Sequence, residues 1–112
     1  MKKIVALLIA AVLALTCVAA LAEGYEIVVV PKDASNPWFV RMETGVNEYA
    51  AAHTEDTIYQ KGTPEIDATL QYQLVMDLIA QDVDAICIVP VDLESIEPAL
   101  KEARDNGIVV IA

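Results

Sequence analysis

The sequence predicts an α/β domain, a parallel sheet with helices on both faces. Three observations carry that reading. Short β-branched runs alternate with longer stretches of helical periodicity, in the order β-α-β-α-β-α-β between Glu26 and Ala112. The strand segments are apolar throughout rather than alternating, which is the pattern of strands covered on both sides. Helix starts are marked by capping residues or prolines, so the alternation has defined boundaries. Parallel neighbours joined through helices imply right-handed crossovers.

The first strand is Glu26-Ile-Val-Val-Val, closed by Pro31. Pro37 then opens a helix to about His53, because proline at the first helical position gives up no hydrogen bond and Asn36 is a preferred N-cap. Phe39, Met42, Val46, Tyr49 and Ala50 mark its apolar face. Gly45 weakens this helix by about 1 kcal/mol relative to Ala and is expected to allow close packing on the sheet. Asp56–Gln60 is the second strand, with Gly62 at the turn after it.

Thr63-Pro64 reads as a second cap-and-proline start, for a helix reaching about Gln81 with Ile66, Leu70, Leu74, Leu78 and Ile79 facing the core. Ala85–Val89 is the third strand and Pro90 ends it. The last helix covers about Ser95–Asn106. Pro98 would break a helix interior, which favours Ser95 over Asp92 as the cap and puts Pro98 in the first turn. Gly107 fits the position just past the helix end. Ile108–Ile111 is the fourth strand, and a domain of this kind is expected to continue into a further helix that covers it.

The segment before this domain has a different character. Lys2 and Lys3 precede an unbroken apolar run from Ile4 to Leu15, and Ala20-Leu21-Ala22 is a small-residue cleavage pattern just before Glu23. Together these describe a secretory signal peptide over residues 1–22 and an exported product, in a periplasm or on an outer cell surface. The competing reading is a membrane anchor, since Ile4–Leu21 is at the short end of a spanning helix. A lipid anchor on Cys17 fits less well, because Ala14-Leu15-Thr16 poorly matches the residues that precede lipidated cysteines.

The 112 residues carry seven Lys plus Arg against seventeen Asp plus Glu, a net charge of −10. That balance argues against nucleic acid and anionic membranes as partners. Without residues 1–22 the chain has 90 residues, a charge of −12 and one cysteine, Cys87, so it must fold on its hydrophobic core rather than on disulfides. Cys87 reads as a small buried hydrophobe, and His53 as a helix-terminal charge partner. Asp82, Asp84, Glu94 and Glu97 read as a solvated acidic surface. No metal-ligand spacing, nucleophile–base pattern or cofactor motif stands out.

In open α/β sheets ligands bind outside the carboxyl ends of the strands. The segments there are 31–39, 60–64 and 90–95. The first is the richest: Lys32-Asp-Ala-Ser-Asn-Pro-Trp-Phe39 brings a cation, an amide and two adjacent aromatics to a helix start. Aromatic faces suit the apolar face of a sugar ring, while amides and charges suit its hydroxyls.

Val28-Val-Val-Pro-Lys-Asp-Ala-Ser-Asn-Pro-Trp-Phe39 resembles the opening of the type I periplasmic sugar-binding proteins, the solute receptors of ABC importers, which are related to the ligand domains of LacI-type repressors. Gln71-Tyr-Gln-Leu-Val-Met-Asp-Leu-Ile79, Val83–Asp92, Ile96–Arg104 and Gly107–Ala112 resemble the family's next elements in order. The Pro-Lys after the first strand and Gln73-Leu-Val looks most like the autoinducer-2-binding and rhamnose-binding branch.

The resemblance implies a sugar or autoinducer-2-like ligand, a membrane permease as partner, no catalysis, no cofactor and a monomer when full length. It places ligand contacts at Lys32, Asn36, Trp38 and Phe39, with the aromatics walling the ring and Asn36 and Lys32 donating to hydroxyls. It also implies that residues 23–112 form part of a first lobe whose second lobe lies elsewhere.

Two other readings stay open. One is a flavodoxin-like enzyme or phospho-acceptor domain using Asp92 or Asp33. The other is a truncated receptor without function.

Overall fold

A computed structural model describes residues 1–22 and 24–112, with the side chains of 13–22 excepted. Glu23 and the side chains of Cys17 and the Ala20–Ala22 pattern therefore fall outside what is described. Eight elements run in the order α1 (Lys2–Ala22), β1 (Glu26–Val30), α2 (Pro37–Ala52), β2 (Thr57–Gln60), α3 (Ala68–Ala80), β3 (Ala85–Ile88), α4 (Leu93–Asp105) and β4 (Val109–Ile111). In α1 the described apolar side chains, from Ile4 to Val12, are exposed.

The four strands form one parallel sheet in the order β2-β1-β3-β4. Its two faces differ. Val28 and Val30 of β1 and Ile86 and Ile88 of β3 point to the side covered by α3 and α4. There they form a closed core with Leu74, Val75, Leu78, Ile96, Ala99, Leu100 and Ala103. The other side carries Ile27, Val29 and Ile58 under α2, which packs chiefly on β2. Helices thus lie on both faces, as the uniformly apolar strands imply, but only the α3/α4 side is fully covered.

Most boundaries fall where the sequence places them, but two helix starts do not. α3 begins at Ala68, not at Pro64. Asp67 is its cap, with Oδ1 accepting from the Leu70 N–H at 2.8 Å. Thr63 is held in the preceding loop instead, its hydroxyl donating to the Glu65 carbonyl at 2.7 Å. Ile66 consequently lies outside the helix and is exposed, and Gln71 and Val75 join Leu74 and Leu78 in the buried face.

α4 begins one turn earlier than expected. Asp92, not Ser95, is the cap, and its Oδ2 accepts from the Ser95 N–H at 2.7 Å and from the Ser95 hydroxyl. Pro98 therefore sits inside the helix. The proline is tolerated because Glu94 and Pro98 lie on the exposed side, where the carbonyl that proline leaves unpaired is open to solvent rather than buried. Gly107 follows the helix at φ 81°, a conformation that favours glycine.

The apolar stripe of α2 is less buried than its periodicity suggests. Phe39 is buried, Met42, Val46 and Ala50 are half-buried, and Tyr49 is exposed. An open cavity of about 510 Å³ is lined by Met42, Gly45 and Val46 of α2 and by Ile27, Val29 and Ile58 of the sheet. Gly45 provides no close packing, since nothing lies within 4 Å of a Cβ built there.

Three smaller expectations also change. His53 caps α2 and stacks on Tyr49 at 3.9 Å, with Nδ1 2.9 Å from the Tyr49 carbonyl oxygen, instead of pairing with a charge. Cys87 is half-buried because it lies on the α2 side of β3, beside Val29. The acidic surface is partly structural, since Asp84 Oδ2 accepts from the Glu26 N–H at 2.7 Å and Glu97 pairs with Arg104 at 2.7 Å.

Candidate functional site at the carboxyl edge of the sheet

Because all four strands are parallel, the loops that follow β1, β2 and β3 meet at one edge. Backbone bonds tie them together. The Lys61 N–H donates to the Val29 carbonyl at 2.9 Å, the Ala34 N–H to the Thr63 carbonyl at 2.9 Å, and the Val89 N–H to the Val30 carbonyl at 2.8 Å. Gly62 makes the first two loops fit. A Cβ there would lie 2.6 Å from Cγ of Pro31, a rigid ring that cannot swing away. The candidate ligand segment is therefore seated on a fixed base.

Within that segment, Asp33 shapes the turn. Its Oδ1 accepts from the Ser35 N–H at 2.9 Å and from the Ser35 hydroxyl at 2.7 Å, and these bonds hold the carboxyl below its ordinary range. Asn36 then caps α2, with Oδ1 accepting from the Trp38 N–H at 3.0 Å. The cap uses the amide oxygen alone, and the residue is exposed. Asn36 thus performs the structural task and keeps the donor that hydroxyl recognition needs.

The two aromatics separate, as neighbours about 100° apart on a helix must. Phe39 is 6% exposed and enters the interior, whereas Trp38 is 74% exposed. Trp38 stands with Arg41 and Met42 around a shallow hollow of about 280 Å³. Lys32 is exposed at the start of the same loop. Lys32, Asn36 and Trp38 are thus all exposed on the one segment that follows β1, and Phe39 is buried.

Two polar residues at this edge escaped the sequence reading. Thr63 is buried and holds the second loop through the bonds given above. Gln60 ends β2 and donates from Nε2 to the Phe39 carbonyl at 2.9 Å, while its Oε1 is buried without a partner among the described residues. Their only signal in the sequence is a polar residue just past a strand.

The acids proposed as phospho-acceptors are otherwise engaged. Asp92 is committed to the α4 cap, which lowers its pKa through the Ser95 hydroxyl first and the Ser95 N–H second, and Asp33 is committed to its turn.

The periplasmic binding protein domain model matches residues 27–112, and the chain belongs to that family.

The D-ribose/D-allose-binding protein of Pseudomonas aeruginosa is 33% identical over 91 residues, 80% of this chain and 28% of its own length. An ABC transporter solute binding protein from Burkholderia multivorans, whose unknown ligand is built as alpha-D-erythrofuranose, superposes with a TM-score of 0.74. It is 30% identical, over 78% of this chain and 31% of that one. LsrB from Clostridium saccharobutylicum in complex with AI-2 superposes with a TM-score of 0.71 at 26% identity, over 76% of this chain and 26% of that one. The chain thus spans under a third of the length of each of these relatives.

Proposed function

We propose that this chain is the beginning of an exported solute-binding protein that captures a sugar or an AI-2-like molecule and presents it to an ABC permease. In this reading residues 1–22 are the cleaved leader and 23–112 form part of the first lobe. The observation that carries it is the exposure of Lys32, Asn36 and Trp38 on one segment. An indole, an amide and a cation are all open to solvent in the loop and helix start that follow β1, at the carboxyl edge, where α/β sheets bind ligands. Phe39 supports that segment from behind.

Among ligands, small oxygen-rich rings fit best, since an indole face takes the apolar side of a ring and the two donors take its hydroxyls. A relative named for ribose and allose and a neighbour solved with AI-2 support that class. Lys32 directly after Pro31 favours the autoinducer-2 and rhamnose branch within it.

The test is a titration with D-ribose, D-allose, L-rhamnose and AI-2, followed by emission of Trp38, the only tryptophan, and by NMR of the Asn36 side-chain amide. Receptors of this design close two lobes around the ligand. One wall of the cleft should therefore give saturable shifts at both residues with an affinity weaker than micromolar. Unmoved signals throughout, together with phosphorylation of Asp92 or Asp33 by acetyl phosphate, would replace this reading with the phospho-acceptor one.

A further inference from the structure

The face that α3 turns to the core is apolar except for one residue, Gln71, which is 1% exposed. A buried amide is costly unless its donors and acceptor are satisfied. Those of Gln71 are, and all by backbone groups at the carboxyl edge. Nε2 donates to the Val89 carbonyl at 3.0 Å and to the Pro31 carbonyl at 3.4 Å, and Oε1 accepts from the Val91 N–H at 2.8 Å.

These partners explain why an amide is needed there. The last rung of the β1–β3 ladder is the Val89 N–H to Val30 carbonyl bond. Beyond it both strands meet a proline, Pro31 and Pro90, and proline has no N–H to continue a ladder. The Pro31 and Val89 carbonyls and the Val91 N–H would then be left unpaired next to the core. A primary amide has the donors and acceptor of a peptide group, and Gln71 supplies the rung the prolines remove.

We propose that Gln71 is a positioning residue for the ligand edge. Its side chain clamps the loop after β3 to the loop after β1, and so sets where Lys32 and Asp92 begin. The clamp itself follows from the contacts above, while its effect on ligand affinity rests on the solute-binding reading.

Gln71→Met keeps the length of the side chain and removes the hydrogen bonds. Amide hydrogen exchange on the chain compares Val91, which the clamp holds, with Ile88, the last residue of β3. In Gln71→Met, Val91 should lose at least about tenfold more protection than Ile88. Equal losses at the two amides would overturn the proposal.

If Gln71→Met does not fold, the same comparison in the unaltered chain decides. Val91 exchanging in step with Ile88 supports the clamp, and Val91 exchanging as fast as Lys32 refutes it. In the sugar titration, Gln71→Met should weaken any saturable binding at least about tenfold. Leu74→Ala, which damages the same helix without touching the edge, should leave affinity in place, and equal weakening by both variants would count against a positioning role. If the unaltered chain responds to none of the probes, the solute-binding reading fails and the exchange comparison still judges the clamp.

Discussion

One face of the sheet is finished and the other is not. On the α3/α4 side, Val28, Val30, Ile86 and Ile88 lose essentially all contact with water. On the α2 side, Ile27, Val29, Ala85 and Cys87 are half-buried, and Val109 and Ile111 of the edge strand are each 59% exposed. The residues alternate along the same strands and are equally apolar. The difference therefore comes from what lies above them: two helices packed on each other on one side, and on the other a single helix seated over β2. Stability and ligand geometry should accordingly depend on different faces.

The largest test of this contrast is a pair of truncations. Leu78→Ala empties a fully buried site in the closed core and should lower unfolding free energy by about 2–5 kcal/mol. Met42→Ala removes a similar volume beside the open cavity, where the transfer and packing terms are already partly lost. It should cost under about 1 kcal/mol by the same reasoning. Urea unfolding followed by far-UV circular dichroism measures both. Similar losses would show that the α2 side is as well packed in solution as the other.

Gly62→Ala probes the junction between the faces. The added methyl meets the Pro31 ring, and such overpacking costs about 1–3 kcal/mol. Because Pro31 leads into the candidate ligand segment, Trp38 emission should shift along with the thermal midpoint. A lowered midpoint with unchanged emission would mean that the strain is absorbed in the second loop.

The division also explains what could be read from the sequence. All four strands and the α2 start at Pro37 were legible, since each depends on local signals such as β-branched runs, proline and an Asn cap. The starts of α3 and α4 were not. Thr63 and Ser95 are good caps in isolation, but Thr63 is taken by the loop packing under Pro31 and Ser95 donates to Asp92. The separate fates of Trp38 and Phe39 follow from helix geometry, whereas the supporting roles of Gln60, Thr63 and Gln71 depend on contacts between distant segments. No spacing rule announces those contacts.

Gly45→Ala should act in the opposite direction to the truncations. The position is helical and a Cβ would meet nothing within 4 Å, so the gain in helix propensity, about 0.5–1 kcal/mol, should appear undiminished. A higher urea midpoint is expected. A lower one would show that the cavity beneath α2 is occupied in solution and that the open face is closed by something packed against Gly45.

The smallest effect separates the two faces by acid. Asp33, ahead of α2, and Asp92, capping α4, both have pKa values lowered by bonds from Ser35 and Ser95 respectively. A carboxyl whose folded pKa is depressed contributes stability above its unfolded value, and that contribution is lost as pH falls through the folded one. Both turns should therefore hold at neutral pH and loosen below the ordinary value of 3.8. The consequences should differ. α4 remains pinned by Ile96, Ala99 and Leu100, so protonation should perturb the Ser95 amide and little else. The entry to α2 has only Phe39 buried behind it, so the same protonation should reach Trp38. A pH titration by NMR, with Trp38 emission in parallel, checks this. Asp33→Asn should remove the acid response of Trp38 and leave that of Ser95, whereas loss of both responses would mean that the two caps belong to one cooperative unit and that the faces are not independent.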